Sequence, residues 1–191
     1  VVANMGMDGI REMALKHLKK EGVLTIHVRQ VRGTKTAYSI VLNFKGEKTV
    51  LTAHNQTPYH LPARLASKWL YVGEMGSSYD RLFVSLAREK KKHGAQIGFN
   101  PGTAQIDERK KSFLELLKHT DVLFVNKEEA QKISREKSLE IHHLARSLFH
   151  LGPQHIVITD GRHGAYGFDG KHLLFTHAFP GKRVEATGAG D

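Results

Sequence analysis

The sequence predicts an α/β fold, with a mostly parallel sheet covered by helices on both faces and a small β-sheet beside it. Three observations carry this. From Trp69 to Leu151 short apolar runs alternate with amphipathic helical patterns. Between Leu24 and Thr52 three β-rich runs follow one another with no helix between them. Polar turn residues stand immediately after the strands of the alternating part. Strand–helix–strand alternation implies right-handed crossovers and hence a parallel sheet buried on two sides.

In chain order, Val1-Val2-Ala3 reads as a buried strand. Asp8 is placed to cap a helix whose apolar positions Ile10, Met13, Ala14 and Leu18 follow helical spacing, and Gly22 ends it. From Leu24 the period becomes two: Leu24, Ile26 and Val28 alternate with polar residues, and further strands are expected at Thr36–Phe44 and Thr49–Thr52, joined by a turn over Lys45-Gly46-Glu47-Lys48. Pro58 and Pro62 mark the return to the larger body. There the expected strands are Trp69–Val72, Ala95–Phe99, Val122–Val125 and Ile156–Ile158, with a hairpin-like Ala165–Phe168. The intervening helices carry Leu82, Phe83, Leu86 and Ala87, then Phe113, Leu114, Leu116 and Leu117, then the stretch Leu139–Leu151. The expected division is a body of residues 1–23 and 54–191 and a β unit of residues 24–53.

Composition narrows the function classes. The 191 residues include 29 Lys and Arg against 19 Asp and Glu, a formal net charge of +10. That excess suits phosphorylated ligands or a polyanion. The basic runs Lys16–Lys20, Arg88–His93 and Arg109–Lys111 fall at expected helix ends without interleaved aromatic residues, which favours solvated faces over nucleic-acid binding. With no cysteine, neither a disulfide nor a thiolate metal site is available. The thirteen histidines form no His-Glu-x-x-His pattern. No apolar run reaches the ~18–20 residues needed to cross a bilayer and no signal-peptide order is present, so a soluble, cytoplasmic protein is expected.

Open α/β sheets bind ligands at the carboxyl ends of their strands. Asn100-Pro101-Gly102, Asn126-Lys127-Glu128-Glu129 and Thr159-Asp160-Gly161 all fall at such ends. In Asn126-x-x-Glu129 an acid one turn into a helix suits a hydrated Mg²⁺ near phosphates, while the same residues equally suit a helix capping box. Thr159 offers a hydroxyl, Gly161 lets backbone approach a phosphate and Gly164 permits the turn into the next strand. The chain closes on Val184-Glu185-Ala186-Thr187-Gly188-Ala189-Gly190-Asp191. A Gly-Ala-Gly turn opening a helix presents free N–H groups to an anion, with Asp191 placed to act as a base; it also suits a plain helix-entry turn. No Walker-type phosphate loop, nucleophile elbow or dinucleotide fingerprint occurs.

Taken together, these motifs resemble the ribokinase-like (PfkB) family of carbohydrate and nucleoside kinases. The final stretch is similar to that family's Asp-[Thr/Ala]-Thr-Gly-Ala-Gly-Asp motif, with Glu185 in place of the first Asp. Asn126-x-x-Glu129 resembles its Asn-x-x-Glu motif, and Thr159 to Ala165 its Thr-x-Gly-x-x-Gly-Ala segment. Gly6-Met7-Asp8 is similar to its Gly-x-Asp turn, although Arg11 stands where a second Gly is usual. Thr36, Ser39 and Gly46–Thr49 resemble its lid strand and turn. The likeness runs from Gly6 to Asp191.

The resemblance implies a three-layer ribokinase-like fold with a β lid over the sugar, and an ATP-dependent kinase acting on a hydroxymethyl group of a sugar or nucleoside. It implies Asp191 as general base and the N–H groups of Gly188, Ala189 and Gly190 as an anion hole. Glu129 would act on Mg²⁺ through water with help from Asn126, and Thr159, Gly161, Gly164 and Thr187 would lie at the nucleotide. Glu185 would sit at a site for a monovalent cation such as K⁺, which its extra methylene puts in question. The expected partners are a small sugar or nucleoside and a second copy through the lid, with no membrane and nucleic acid disfavoured. Measured against the family, the chain reads as a central piece without the N-terminal sugar-binding segment or the adenine pocket, and the piece itself is expected to be inactive. A catalytically idle scaffold of the same fold is the competing reading.

Overall fold

The computed structural model describes residues 1–44, 47–54, 56–63, 65 and 67–181, with residues 47 and 48 described by backbone alone. The described residues form two compact units. One is Val1–Leu65 with Gly76–Leu82; the other comprises the described residues of Ala66–Met75 and Phe83–Asp191.

In the first unit, β1 (Val2–Met5) leads into α1 (Gly9–Lys20). Asp8 is its N-cap, accepting from the Arg11 N–H at 3.0 Å. The same carboxylate accepts the Thr36 N–H and O–H, both at 2.7 Å, and the Thr36 hydroxyl oxygen accepts the Gly6 N–H at 3.0 Å. Gly6 is required here, because a Cβ would lie 2.4 Å from the Thr34 carbonyl oxygen. The expected turn and the start of the expected lid strand are therefore tied through one carboxylate. Gly22, at φ +72°, ends the helix as expected, donating to the Lys19 carbonyl.

Two expectations fail in this unit. The apolar stripe of α1 is not buried, with Met13 73% exposed, and β1 is exposed at Val2. Among the described residues β1 has a single strand neighbour, so little covers it. The alternating run from Leu24 also does not start a strand there: Leu24 and Ile26 are exposed, Val28 N–H bonds to Thr25 O in a turn that includes Ile26, and β2 is His27–Gln30. It pairs in parallel with β1, Val2 opposite His27, rather than with the following hairpin. Local turn closure has overridden the periodic pattern. That hairpin is β3 (Tyr38–Phe44) against β4 (Glu47–Ala53), with Phe44 opposite Glu47. The connecting Lys45 and Gly46 lie outside the described residues.

The second unit holds a six-stranded sheet in the order β10-β9-β8-β7-β6-β5. Strands β5 (Trp69–Val72), β6 (Gln96–Phe99), β7 (Val122–Asn126) and β8 (His155–Thr159) are mutually parallel. Strands β9 (Ala165–Phe168) and β10 (Leu173–Thr176) add antiparallel. The core matches the apolar patterns. Phe83, Leu86 and Ala87 of α2 (Asp80–His93), a helix whose first residues belong to the first unit, are buried, as are Phe113, Leu116 and Leu117 of α4 (Lys111–Leu117). Ile97, Phe99, Leu123, Val125, Ile156 and Ile158 supply the strand side. Phe99 makes edge-on contacts with Phe83 at 5.3 Å and Phe113 at 5.9 Å.

Part of the positive charge is structural: Lys90 of the Arg88–His93 run pairs with the buried Asp121, which also accepts the Ile97 N–H at 2.7 Å. Helix α3 (Thr103–Glu108) and strand β10 were not expected from the sequence. The crossovers to β8 are α5 (Lys127–Ser134) and α6 (Ile141–His150). Among the described residues no helix is long and apolar enough to cross a membrane.

Candidate functional site

The carboxyl ends of β7 and β8 lie side by side. Asn126, the last residue of β7, is the register partner of Thr159, the last residue of β8. Two motifs 33 positions apart in sequence are thus brought together by parallel pairing, as expected for an open α/β sheet.

Around Asn126 the chain forms a capping box. The Asn126 side-chain oxygen accepts the Glu129 N–H and the Glu129 carboxylate accepts the Asn126 N–H, each at 2.9 Å. The capping reading of this motif is therefore realised, and any action on a metal comes in addition to it. Burial pushes the Glu129 carboxyl above its usual range. The bond from Asn126 opposes this, and the neighbouring charges of Glu74 and Glu128 add to it. Such a carboxyl sits in negative potential that a cation would relieve. Thr103, Ile106, Glu128 and Lys132 line a small cavity with Asn126 and Glu129.

On the β8 side, Thr159 is exposed and Gly161 opens a single 3₁₀ turn over Gly161–His163 at φ +53°. The turn closes on itself through Asp160 N–H to Gly164 O, 2.9 Å, and His163 N–H to Asp160 O, 3.0 Å. The N–H groups of Gly161 and Arg162 have no partner among the described residues. Gly164 takes φ +117°, and a Cβ there would lie 2.0 Å from the Thr176 carbonyl oxygen. No other residue type fits this turn into β9.

Sequence reasoning did not single out four further residues. Lys127 Nζ lies 3.6 Å from Asp160 Oδ2, so an ion pair bridges the two loops, and His163 Nδ1 lies 3.4 Å from the same oxygen. Glu74, after β5, lies so close over Gly102 that a Cβ on that glycine would meet its Cγ at 2.2 Å. Lys127 and Asp160 were findable as immediate neighbours of the motif residues; Glu74 carried no motif. The third polar strand end proved to be a brace: Asn100 Nδ2 donates to the Phe124 carbonyl at 2.9 Å, and Gly102 N–H donates to the Gln105 side chain at 2.8 Å.

Thr187, Glu185, Gly188, Ala189, Gly190 and Asp191 all lie outside the described residues. Among the described residues no group of three or more His, Cys, Asp or Glu side chains is arranged to hold a metal. The carboxylate that fits a metal role is Glu129, a single ligand of the kind that suits a Mg²⁺ keeping its water.

The chain belongs to the pfkB family of carbohydrate kinases, whose model matches residues 1–191. Solved structures of the same fold include a nucleoside kinase from Burkholderia thailandensis in complex with inosine, with TM-score 0.76 and 18% identity over 99% of this chain and 62% of that one. A ribokinase II candidate from E. coli, in complex with ATP and Mg²⁺, gives TM-score 0.77 and 18% identity over 99% and 65%. Adenosine kinase from Anopheles gambiae, in complex with a diadenosine tetraphosphate, gives 0.79 and 18% over 98% and 62%. The fold is thus ribokinase-like, and the chain spans 62% to 65% of the length of these three structures. A search of curated protein sequences returned no match.

Proposed function

We propose that the protein works in ATP-dependent phosphoryl transfer to a hydroxymethyl group of a sugar or nucleoside. The observation that carries this is the pairing of Asn126 with Thr159 at adjacent strand ends, in a chain matched by the carbohydrate kinase family over residues 1–191. In this reading Glu129 and Asn126 hold a hydrated Mg²⁺, which supplies charge neutralisation at the nucleotide phosphates. Thr159, the unpartnered N–H groups after Asp160, and the turn held by Gly164 receive the phosphates; Thr187 lies at the nucleotide. Lys127 adds positive charge between the two loops.

Asp191 takes the proton from the acceptor hydroxyl as its oxygen bonds to the γ-phosphorus and the bond to the β–γ bridging oxygen breaks, releasing ADP. The N–H groups of Gly188, Ala189 and Gly190 stabilise the charge gathering on the transferred group. Glu185 lies at the place of a monovalent-cation ligand. Residues 24–53 act as the lid over the acceptor and as the surface for a second copy, with residues 1–23 and 54–191 as the body.

The test is an amide NMR titration of the ¹⁵N-labelled chain with MgATP. Saturable shifts at Asn126–Ala130 and Thr159–Gly164 support the assignment. Saturable binding that leaves both segments unmoved removes them from the nucleotide site.

A further inference from the structure

Helix α6 places His142, Arg146 and His150 at successive i, i+4 positions, a single stripe along the helix. The β9–β10 turn brings Lys171 to the same place, and the four side chains share a cavity of about 240 Å³ with Phe149 and Phe168. Its apolar wall is firm. Phe168 is 6% exposed and meets Phe149 edge-on at 5.8 Å. Gly170 lets the turn approach the helix, since it takes φ +93° and a Cβ there would lie 2.4 Å from Phe149 Cζ.

The cavity has no anion of its own. Asp169, the acid nearest in sequence, is turned to its own loop: it accepts the N–H groups of Lys171 at 2.8 Å and His172 at 2.7 Å and faces His172 Nδ1 at 3.1 Å. Those bonds hold its carboxyl well below the usual range, so it stays committed to the turn. Among the described residues no carboxylate pairs with Arg146, Lys171, His142 or His150. Elsewhere in the unit several basic side chains are paired, as Lys90 is with Asp121 and Lys127 with Asp160.

We infer that this cavity is a binding site for a phosphate group, of the kind carried by a small phosphorylated metabolite, separate from the proposed nucleotide site. Phe168 is the register partner of Ile156, whereas Thr159 pairs with Ala165. The cavity therefore lies three residues down the same strands from the Thr159 loop, about 10 Å at the usual rise. Converging cations against an aromatic wall favour one compact anion with a short organic stem. A polymer backbone would be served by an open basic stripe with stacking rings.

The probes are inorganic phosphate and glycerol 3-phosphate, titrated into the ¹⁵N-labelled chain at constant ionic strength, with chloride as control. Saturable shifts at Phe149, His150, Gly170 and Lys171, without shifts at Asn126–Glu129, are expected. Equal affinity for the two probes assigns recognition to the phosphate alone, and tighter binding of the ester adds the phenylalanine wall. Arg146→Gln and Lys171→Gln should each weaken binding by up to about 5-fold, the upper end for an exposed charge pair, while Lys111→Gln on α4 should not. Shifts confined to the Asn126 and Thr159 loops, equal shifts with chloride, or binding of an RNA oligonucleotide with no response to either probe would each overturn the proposal. Because the readout is by residue, its failure is distinguishable from failure of the nucleotide site.

Discussion

Asn126 and Glu129 hold each other across the first turn of α5, each side chain accepting the other's backbone N–H at 2.9 Å. The pair fixes the helix entry at the end of β7, and it does so with a carboxyl that burial and neighbouring acids push up from its ordinary value of 4.5. The folded state favours protonated Glu129. Its contribution to stability is therefore fullest below that ordinary value and is lost as pH rises through the raised one.

Glu129→Gln keeps an acceptor for the Asn126 N–H and removes the charge. At pH 7 its melting temperature should equal or exceed that of the unchanged protein, with any gain shrinking below pH ~4.5. Thermal melts between pH 4 and 8 check this. A marked loss of stability at pH 7 would mean that the charge itself supports the fold. In the full-length gene product the same variant should lose Mg²⁺-dependent turnover, so that stability and activity move in opposite directions.

Gly164→Ala should be severely destabilising. It combines a conformation that L side chains rarely adopt with a Cβ 2.0 Å from the Thr176 carbonyl oxygen. The expected cost is on the order of 2 kcal/mol or more, read from urea unfolding. Gly161→Ala, where φ is also positive but nothing lies within 4 Å, should cost less.

Asp8→Ala should lower stability more than Asp8→Asn, because asparagine retains an N-cap acceptor for the Arg11 N–H. The hydrogen bonds from Thr36 and Arg11 hold the Asp8 carboxyl below its ordinary value of 3.8. Its stabilisation is thus present above that value and lost as pH falls through the depressed one. Melts of the two variants at pH 7 and pH 3 check both statements: the difference from the unchanged protein should be larger at pH 7.

Much of this was legible in the sequence. The apolar patterns of α2, α4 and the strands β6 to β8 specified the core, because those segments bury most of their apolar positions, whereas Trp69 and Tyr71 of β5 are exposed. In the first unit, periodicity misled at Leu24 and Ile26, where a turn closed by Thr25 shifts the strand to His27–Gln30. Helix α3 was missed because its start, Gly102 with Gln105 at N3, resembles the continuation of a Pro-Gly turn. That Asn126 and Thr159 both fall at carboxyl strand ends followed from motif order and the alternation of strands and helices. The Lys127–Asp160 ion pair did not, since it depends on strand register.

Glu185 carries one methylene more than the acid of the family motif it resembles. In the full-length gene product, activity should depend weakly on K⁺, and Glu185→Asp should increase that dependence. Rates in K⁺ and in a large organic cation decide it, and strong K⁺ activation without the substitution counts against this account.

The most direct measurement of the central claim is acceptor-dependent ADP release by the full-length gene product, before and after Asp191→Asn, over a panel of sugars and nucleosides. Turnover with at least one acceptor is expected, and kcat should fall at least ~100-fold in the variant, the low end for losing a positioned base, with the KM for ATP little changed. Turnover unchanged by the substitution, or none with any acceptor while MgATP still binds at Asn126 and Thr159, would contradict it.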